Sequence, residues 1–159
     1  MGTTTAKESV WDYPRPPVAV PATSEISVVF AGVEVAHSNR TIRVLETSHP
    51  PVYYIPPEDF REDLLRPVSG STHCEWKGAA QYFDLTVEGL RASRAVWCYR
   101  SPTKAFASIT GWYAVYPSKM DGCSVNGEQV QPQEGDFYGG WITSHIEGPF
   151  KGAPGTWGW

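Results

Sequence analysis

Short apolar runs, each bounded by Gly, Pro or Asn, recur along this chain. Their spacing suits strands, where successive side chains alternate between two faces, better than long amphipathic helices. "EISVVFAGVEVAHSN" predicts two short strands around Gly32, and "RTIRVLET" predicts another. Asn39-Arg40 lies between those segments, so a tight turn and a hairpin are expected there. "ASRAVWCYR" and "SITGWYAVYP" are apolar on both faces and read as central strands covered on both sides. Between them "SPTKAFA" allows one helical turn. "CSVNGEQVQP" reads as a hairpin tip centred on Asn126-Gly127.

One segment predicts a short helix, near residues 57–65. Pro57 suits a first helical turn, Glu58 and Asp59 complement the helix dipole, and Phe60, Leu64 and Leu65 give one apolar face. Pro50-Pro51 and Pro56-Pro57 keep the chain before it extended.

In "STHCEWKGAAQYF" (71–83), alternation puts Thr72, Cys74 and Trp76 on one face and His73, Glu75 and Lys77 on the other. Gly78 then permits a bend before "AAQYFDLTV". Residues 1–10 read as a loose tail. "WDYPRPPVAVP" reads as an extended segment packed through Trp11 and Tyr13. From Gly135 onward the chain is Gly-rich, with Trp141, Phe150 and Trp157 spaced as anchors for an irregular wrap. The expectation is one mostly β domain over 1–159, built of antiparallel sheets.

Composition narrows the class. The 159 residues include 7 Trp, 8 Tyr, 6 Phe, 15 Gly and 14 Pro, which favours strands and turns around one globular core. The net charge of −4 and the lack of any basic run argue against nucleic-acid binding, which needs cations to displace counterions. No apolar run approaches membrane-spanning length. The N-terminal stretch lacks the apolar core of a secretory signal, so the cytoplasm is the default expectation. Cys74, Cys98 and Cys123 form no C-x-x-C pair, and neither a metal nor a cofactor is called for.

Lys77, between an aromatic residue and a glycine, is the first candidate for chemistry. Partial burial would suit it to act as a base, a nucleophile or an anion clamp. The plainer alternative is a surface lysine on an edge strand. Glu46 and Thr47 end an apolar strand beside a rigid Pro-Pro, where sites often sit; a capping acid is the alternative. Tyr53 and Tyr54 point opposite ways on an extended chain, so one belongs to the core and the other can offer its hydroxyl to a pocket. Gly139-Gly140-Trp141 places an indole that either closes over a ligand or packs down. His49 and His145 stand in loops, where a lone histidine is most often polar surface. Phosphate-binding glycine loops and paired magnesium-binding acids are missing.

Four segments in order, "VLETSHPPVYYIPPEDF", "THCEWKGAAQYF", "AVWCYRSP" and "ITGWYAVYP", resemble the DUF427 family, which sometimes carries a nucleotidyltransferase-like label. The resemblance covers a family core of about 25–120. The flanking "WDYPRPP" and "GDFYGGW…GPFKG" resemble extensions of longer, fungal-type members. It implies a small mostly β domain of β-tent type, two antiparallel sheets meeting at an angle. Related tents carry a zinc-binding cysteine quartet that this sequence lacks. The family's recurring polar positions fall on Glu46, Thr47, Tyr54, Cys74, Lys77 and Tyr82. With Trp141, these give the expected ligand-binding set. The leading expectation is a small-molecule-binding domain with an aromatic pocket and a Lys77/Glu46 pair, taking an anionic small molecule. The alternatives are an enzyme using Lys77 or Tyr82, and a structural module that forms a homodimer through exposed aromatics.

Overall fold

The structure, a computed structural model, describes residues 7–74, 77–135, 139–156 and 158–159. In chain order the strands are β1 (Glu8–Ser9), β2 (Val18–Ala22), β3 (Ile26–Phe30), β4 (Val33–Ser38), β5 (Thr41–Leu45) and β6 (Val52–Tyr54). They continue as β7 (Leu65–Cys74), β8 (Gly78–Val87), β9 (Leu90–Cys98), β10 (Ala114–Val115) and β11 (Gly122–Val125). The last are β12 (Glu128–Gln129), β13 (Gln131–Pro132), β14 (Trp141–Ile142) and β15 (Ile146–Glu147). Three sheets make the body, with strand orders β10-β9-β8-β7, β12-β11-β3-β4 and β2-β5-β6. Their pairings are all antiparallel, as the sequence predicts.

The sheet of β7 to β10 lies between two apolar cores. One face of its central strands sends Phe83, Leu85, Val96 and Cys98 against Ile26, Val28 and Val35 of the β3–β4 layer. The other face sends Ala80, Tyr82, Trp97 and Tyr99 against Ile42, Val44 and Tyr54 of the β5–β6 layer. This is why the β9 segment reads as apolar on both faces. Leu85 and Val96 are fully enclosed, each stabilising the fold by about 2 kcal/mol.

Local chemistry sets the turns. Ala31 (φ 51°) and Gly32 (φ 75°) connect β3 to β4, and Asn126 (φ 49°) and Gly127 (φ 83°) connect β11 to β12. Two consecutive positive φ values are the demand of a tight two-residue hairpin, and Asn-Gly meets it at least cost.

Several expectations change. Asn39-Arg40 does not close a hairpin: β4 pairs with β3, while β5 pairs with β2 and β6, so the chain turns a corner between sheets. The helix near 57–65 resolves into two 3-10 turns, Pro57–Asp59 and Glu62–Leu64. Phe60 breaks it: its backbone is extended (φ −119°, ψ 142°), it bridges to Ala36, and its ring packs on Tyr113. So short a helix cannot offset its nucleation cost, whereas core burial of one aromatic is worth more. β10 is a two-residue edge strand rather than a central one, though Ala114 and Val115 are buried on opposite faces.

The N-terminal segment is also tied down from residue 8. β1 pairs in parallel with β15, and Val10 is fully buried. Tyr13 is buried as expected, but Trp11 stays 41% exposed, donating its indole N–H to the Pro149 carbonyl. Residues 1–6 of the expected tail, and the Trp157 anchor, lie outside the described residues. Phe150 is half-buried, while Trp141 is enclosed in the core. No helix among the described residues is long and apolar enough to cross a membrane.

Candidate functional site

Between the β5–β6 layer and the outer face of the β7–β9 sheet lies a cavity of about 350 Å3. That volume falls in the range of small-molecule sites. Alternation builds its aromatic wall. Tyr53 of β6 faces the first core and Tyr54 the second, where it meets Trp97 of β9 and Tyr99 just beyond that strand. The Tyr54 and Trp97 rings stand edge to face at 6.5 Å, and Trp97 rests on Tyr116 at 4.6 Å.

The wall's polar atoms bond to one another. Trp97 Nε1–H donates to Tyr54 Oη at 3.3 Å, and the Tyr99 ring packs against Tyr54 with centroids 6.3 Å apart. Tyr82 Oη shares a 2.9 Å hydrogen bond with Thr72 Oγ1. The Arg94 guanidinium covers the Tyr82 ring at 4.4 Å. Burial pushes the phenols of Tyr54, Tyr99 and Tyr116 well above the usual tyrosine range. They therefore remain protonated donors at neutral pH and do not serve as phenolate bases.

Glu46, Tyr54, Cys74, Lys77 and Tyr82, five of the sequence-predicted positions, line this one cavity. Lys77 reaches it from the turn between β7 and β8, not from a strand face. That turn explains how Cys74 and Lys77, expected on opposite faces, share a wall. The turn is anchored by Thr103 N–H donating to the Lys77 carbonyl at 3.2 Å. Gly78 (φ +102°) lets it pass within van der Waals reach of the Ser101 carbonyl, where a Cβ would sit at 3.3 Å. The half-buried Lys77 ammonium stands 5.9 Å from the centroid of the Tyr99 ring. Glu75 and Trp76 lie outside the described residues.

The expected Lys77/Glu46 ion pair is not formed among the described residues. Glu46 instead faces Arg15 at 3.7 Å, and no described carboxylate lies within 4.0 Å of Lys77. Two candidates fall elsewhere. Thr47 turns away, donating its hydroxyl to the Tyr13 carbonyl at 2.6 Å. Trp141 is enclosed in the first core against Tyr53, and its indole N–H has no acceptor among the described residues. The Gly139-Gly140 segment is packed down: a methyl at Gly139 would collide with the Trp97 indole, and one at Gly140 with Gln133 and Pro50.

Sequence reasoning missed Gln133, Trp97 and Lys151 and read His49 as polar surface, yet all four line the cavity. His49 precedes Pro50-Pro51, and that rigid pair was the available signal. Burial, and then the positive charges of Lys151, Arg15 and Lys77, push its imidazole down to about 4. It is neutral at pH 7. Lys77 and Lys151 line the cavity, and Arg15 faces Glu46 beside it. Among the described residues no group of three or more His, Cys, Asp or Glu is placed to hold a metal ion. The buried Cys98 and Cys123 belong to the first core, and burial pushes the Cys123 thiol up to about 12.

No curated protein matches the chain by sequence. The family model described as a domain of unknown function, DUF427, matches residues 18–126, well over half of the chain, and the chain belongs to that family.

Proposed function

We propose that this domain binds a small anionic molecule with a flat apolar body, held in the cavity between Tyr54, Trp97 and Lys77. One observation carries the reading. A half-buried lysine without a carboxylate partner among the described residues lines an aromatic cavity large enough for a metabolite. An anion supplies that lysine's counter-charge, and ring faces suit an apolar body. Burial keeps Tyr54, Tyr99 and Tyr116 from acting as phenolate bases, and with the paired acids missing this favours binding over catalysis. Among the described residues only Trp11, Val18 and Leu90 are large exposed apolar side chains, which is little on which to build a homodimer interface.

The test is a titration of the full-length protein with a library of metabolite-sized compounds, followed by Trp fluorescence. Wild type should select anions bearing a ring. The Lys77→Met variant should keep the wild-type melting temperature and lose binding by about tenfold or more, since hydrogen bonds to charged groups contribute about 1.5 to 3 kcal/mol. Equal binding by the two proteins would remove Lys77 from the site.

A further inference from the structure

The cavity is not closed by the family-matched span alone. Residues 18–126 supply Lys77 and the aromatic wall, whereas Gln133, Gly139 and Lys151 line the cavity from beyond that span. Arg15, which faces Glu46, precedes it. Two of the three cations converging on His49 therefore come from the flanking extensions.

The backbone at Lys151 is fixed from both sides. Its N–H donates to the Ser48 carbonyl at 2.9 Å, and its carbonyl accepts from Gln133 Nε2 at 2.6 Å. Gln133 is itself buried, and its Oε1 accepts from Gly140 N–H at 3.2 Å, so one carboxamide clasps both passes of the extension. Further along, the Trp159 carbonyl accepts from Arg15 Nη2 at 3.1 Å and from Ser48 Oγ at 3.2 Å. The extension is thus tied to the body at several points, and the root of the Lys151 side chain is placed before any ligand arrives. A cation placed in advance loses less freedom on binding than one on a mobile loop.

We propose that Lys151, supplied by the C-terminal extension, is the specificity-determining residue that selects ligands with a multi-oxygen anionic head, a carboxylate or a phosphate. The proposal rests on the anion-binding reading above. Lys77 and Lys151 both line the cavity, and two ammonium donors suit a head with two or three acceptor oxygens. The aromatic wall accepts the apolar body whatever its charge. Gln133 is a positioning residue that acts through the Lys151 backbone.

Three probes of similar size separate the terms: phenyl phosphate, benzoate and the neutral benzamide, titrated calorimetrically at pH 7.5 into the full chain. Wild type should bind both anions more tightly than benzamide. Lys151→Met should lower affinity for the anions by about ten- to a hundredfold and leave benzamide unchanged. Lys151→Arg should restore the preference, because it returns the cation on the same backbone. A Lys151→Met protein that weakens all three probes equally, or that keeps the wild-type preference, overturns the proposal. A larger loss for phenyl phosphate than for benzoate assigns the site to phosphate; the reverse assigns it to carboxylate. A wild type that shows no preference for anions refutes the underlying reading instead, so the two failures are distinguishable.

Discussion

Acid should destabilise this protein through His49. Its imidazole is half-buried beside Lys151, Arg15 and Lys77, with Glu46 on the same cavity and already facing Arg15. In the folded chain it titrates at about 4, against 6.5 when unperturbed. Because the folded value is the lower one, the unfolded chain takes up the proton first as pH falls. The contribution of a neutral His49 is complete above about 6.5 and is lost as pH drops towards 4. The gap between those values, at about 1.36 kcal/mol per pH unit, is about 3 kcal/mol. Solvent reaching a half-buried ring reduces that to about 2 kcal/mol. Urea denaturation of wild type and His49→Gln at pH 7 and pH 4.5 measures it. Wild type should lose about 2 kcal/mol more than the variant over that interval. Carboxylates held low in the fold, such as Glu8 and Asp59, also lose stability in acid, but they are common to both proteins and cancel in the difference. Parallel losses in the two proteins would refute the reasoning, since His49 would then not be held neutral by its surroundings.

Two further outcomes are expected from packing. Gly139→Ala forces a methyl into the Trp97 indole, so it should cost about 1 to 3 kcal/mol in thermal denaturation and shift the Trp emission. Retention of both values would show that the segment lies off the ring. Deleting residues 135–159 removes the buried Trp141 and Ile146, each worth about 2 to 3 kcal/mol, and uncovers the Tyr53 ring. The truncated protein should melt well below wild type, and an unchanged melting temperature would mark the segment as dispensable.

The strands were legible wherever burial alone decides them. β9 read as apolar on both faces because both faces meet a core, and Asn126-Gly127 read as a turn because its backbone demands those residues. What failed was pairing at long range. Val35 of β4 packs in the first core and Ile42 of β5 in the second, so the two strands part at Asn39-Arg40 although the local sequence permits a hairpin. No local pattern carries that choice. The helix failed for a similar reason: Phe60 is drawn to Tyr113, a residue far along the chain. At the site, Lys77, Glu46, Tyr54 and Tyr82 were legible as one set, yet the charge partner of Glu46 was not, because Arg15 arrives from a Pro-rich segment that reads only as extended chain. Lys151 was invisible for the same physical cause, a loop position fixed by backbone hydrogen bonds to Ser48 and Gln133.

The wall's hydrogen bonding also bears on where ligand selectivity can reside. Tyr54 accepts from Trp97, and Tyr82 shares a hydrogen bond with Thr72. With these two hydroxyls engaged, the wall turns mainly ring faces and edges to the cavity. Breaking one of those bonds to reach a ligand would strand its buried partner, at about 1 to 3 kcal/mol. A wall of this kind favours flat apolar bodies and discriminates poorly among them. Discrimination by charge must then come from charged side chains outside the aromatic wall, and Lys77 and Lys151 line the cavity. Under the proposal above, one of them, Lys77, lies within the family-matched span and the other, Lys151, in the extension. An extension that differs at Lys151 would change the ligand without disturbing either core, because neither core contains that residue.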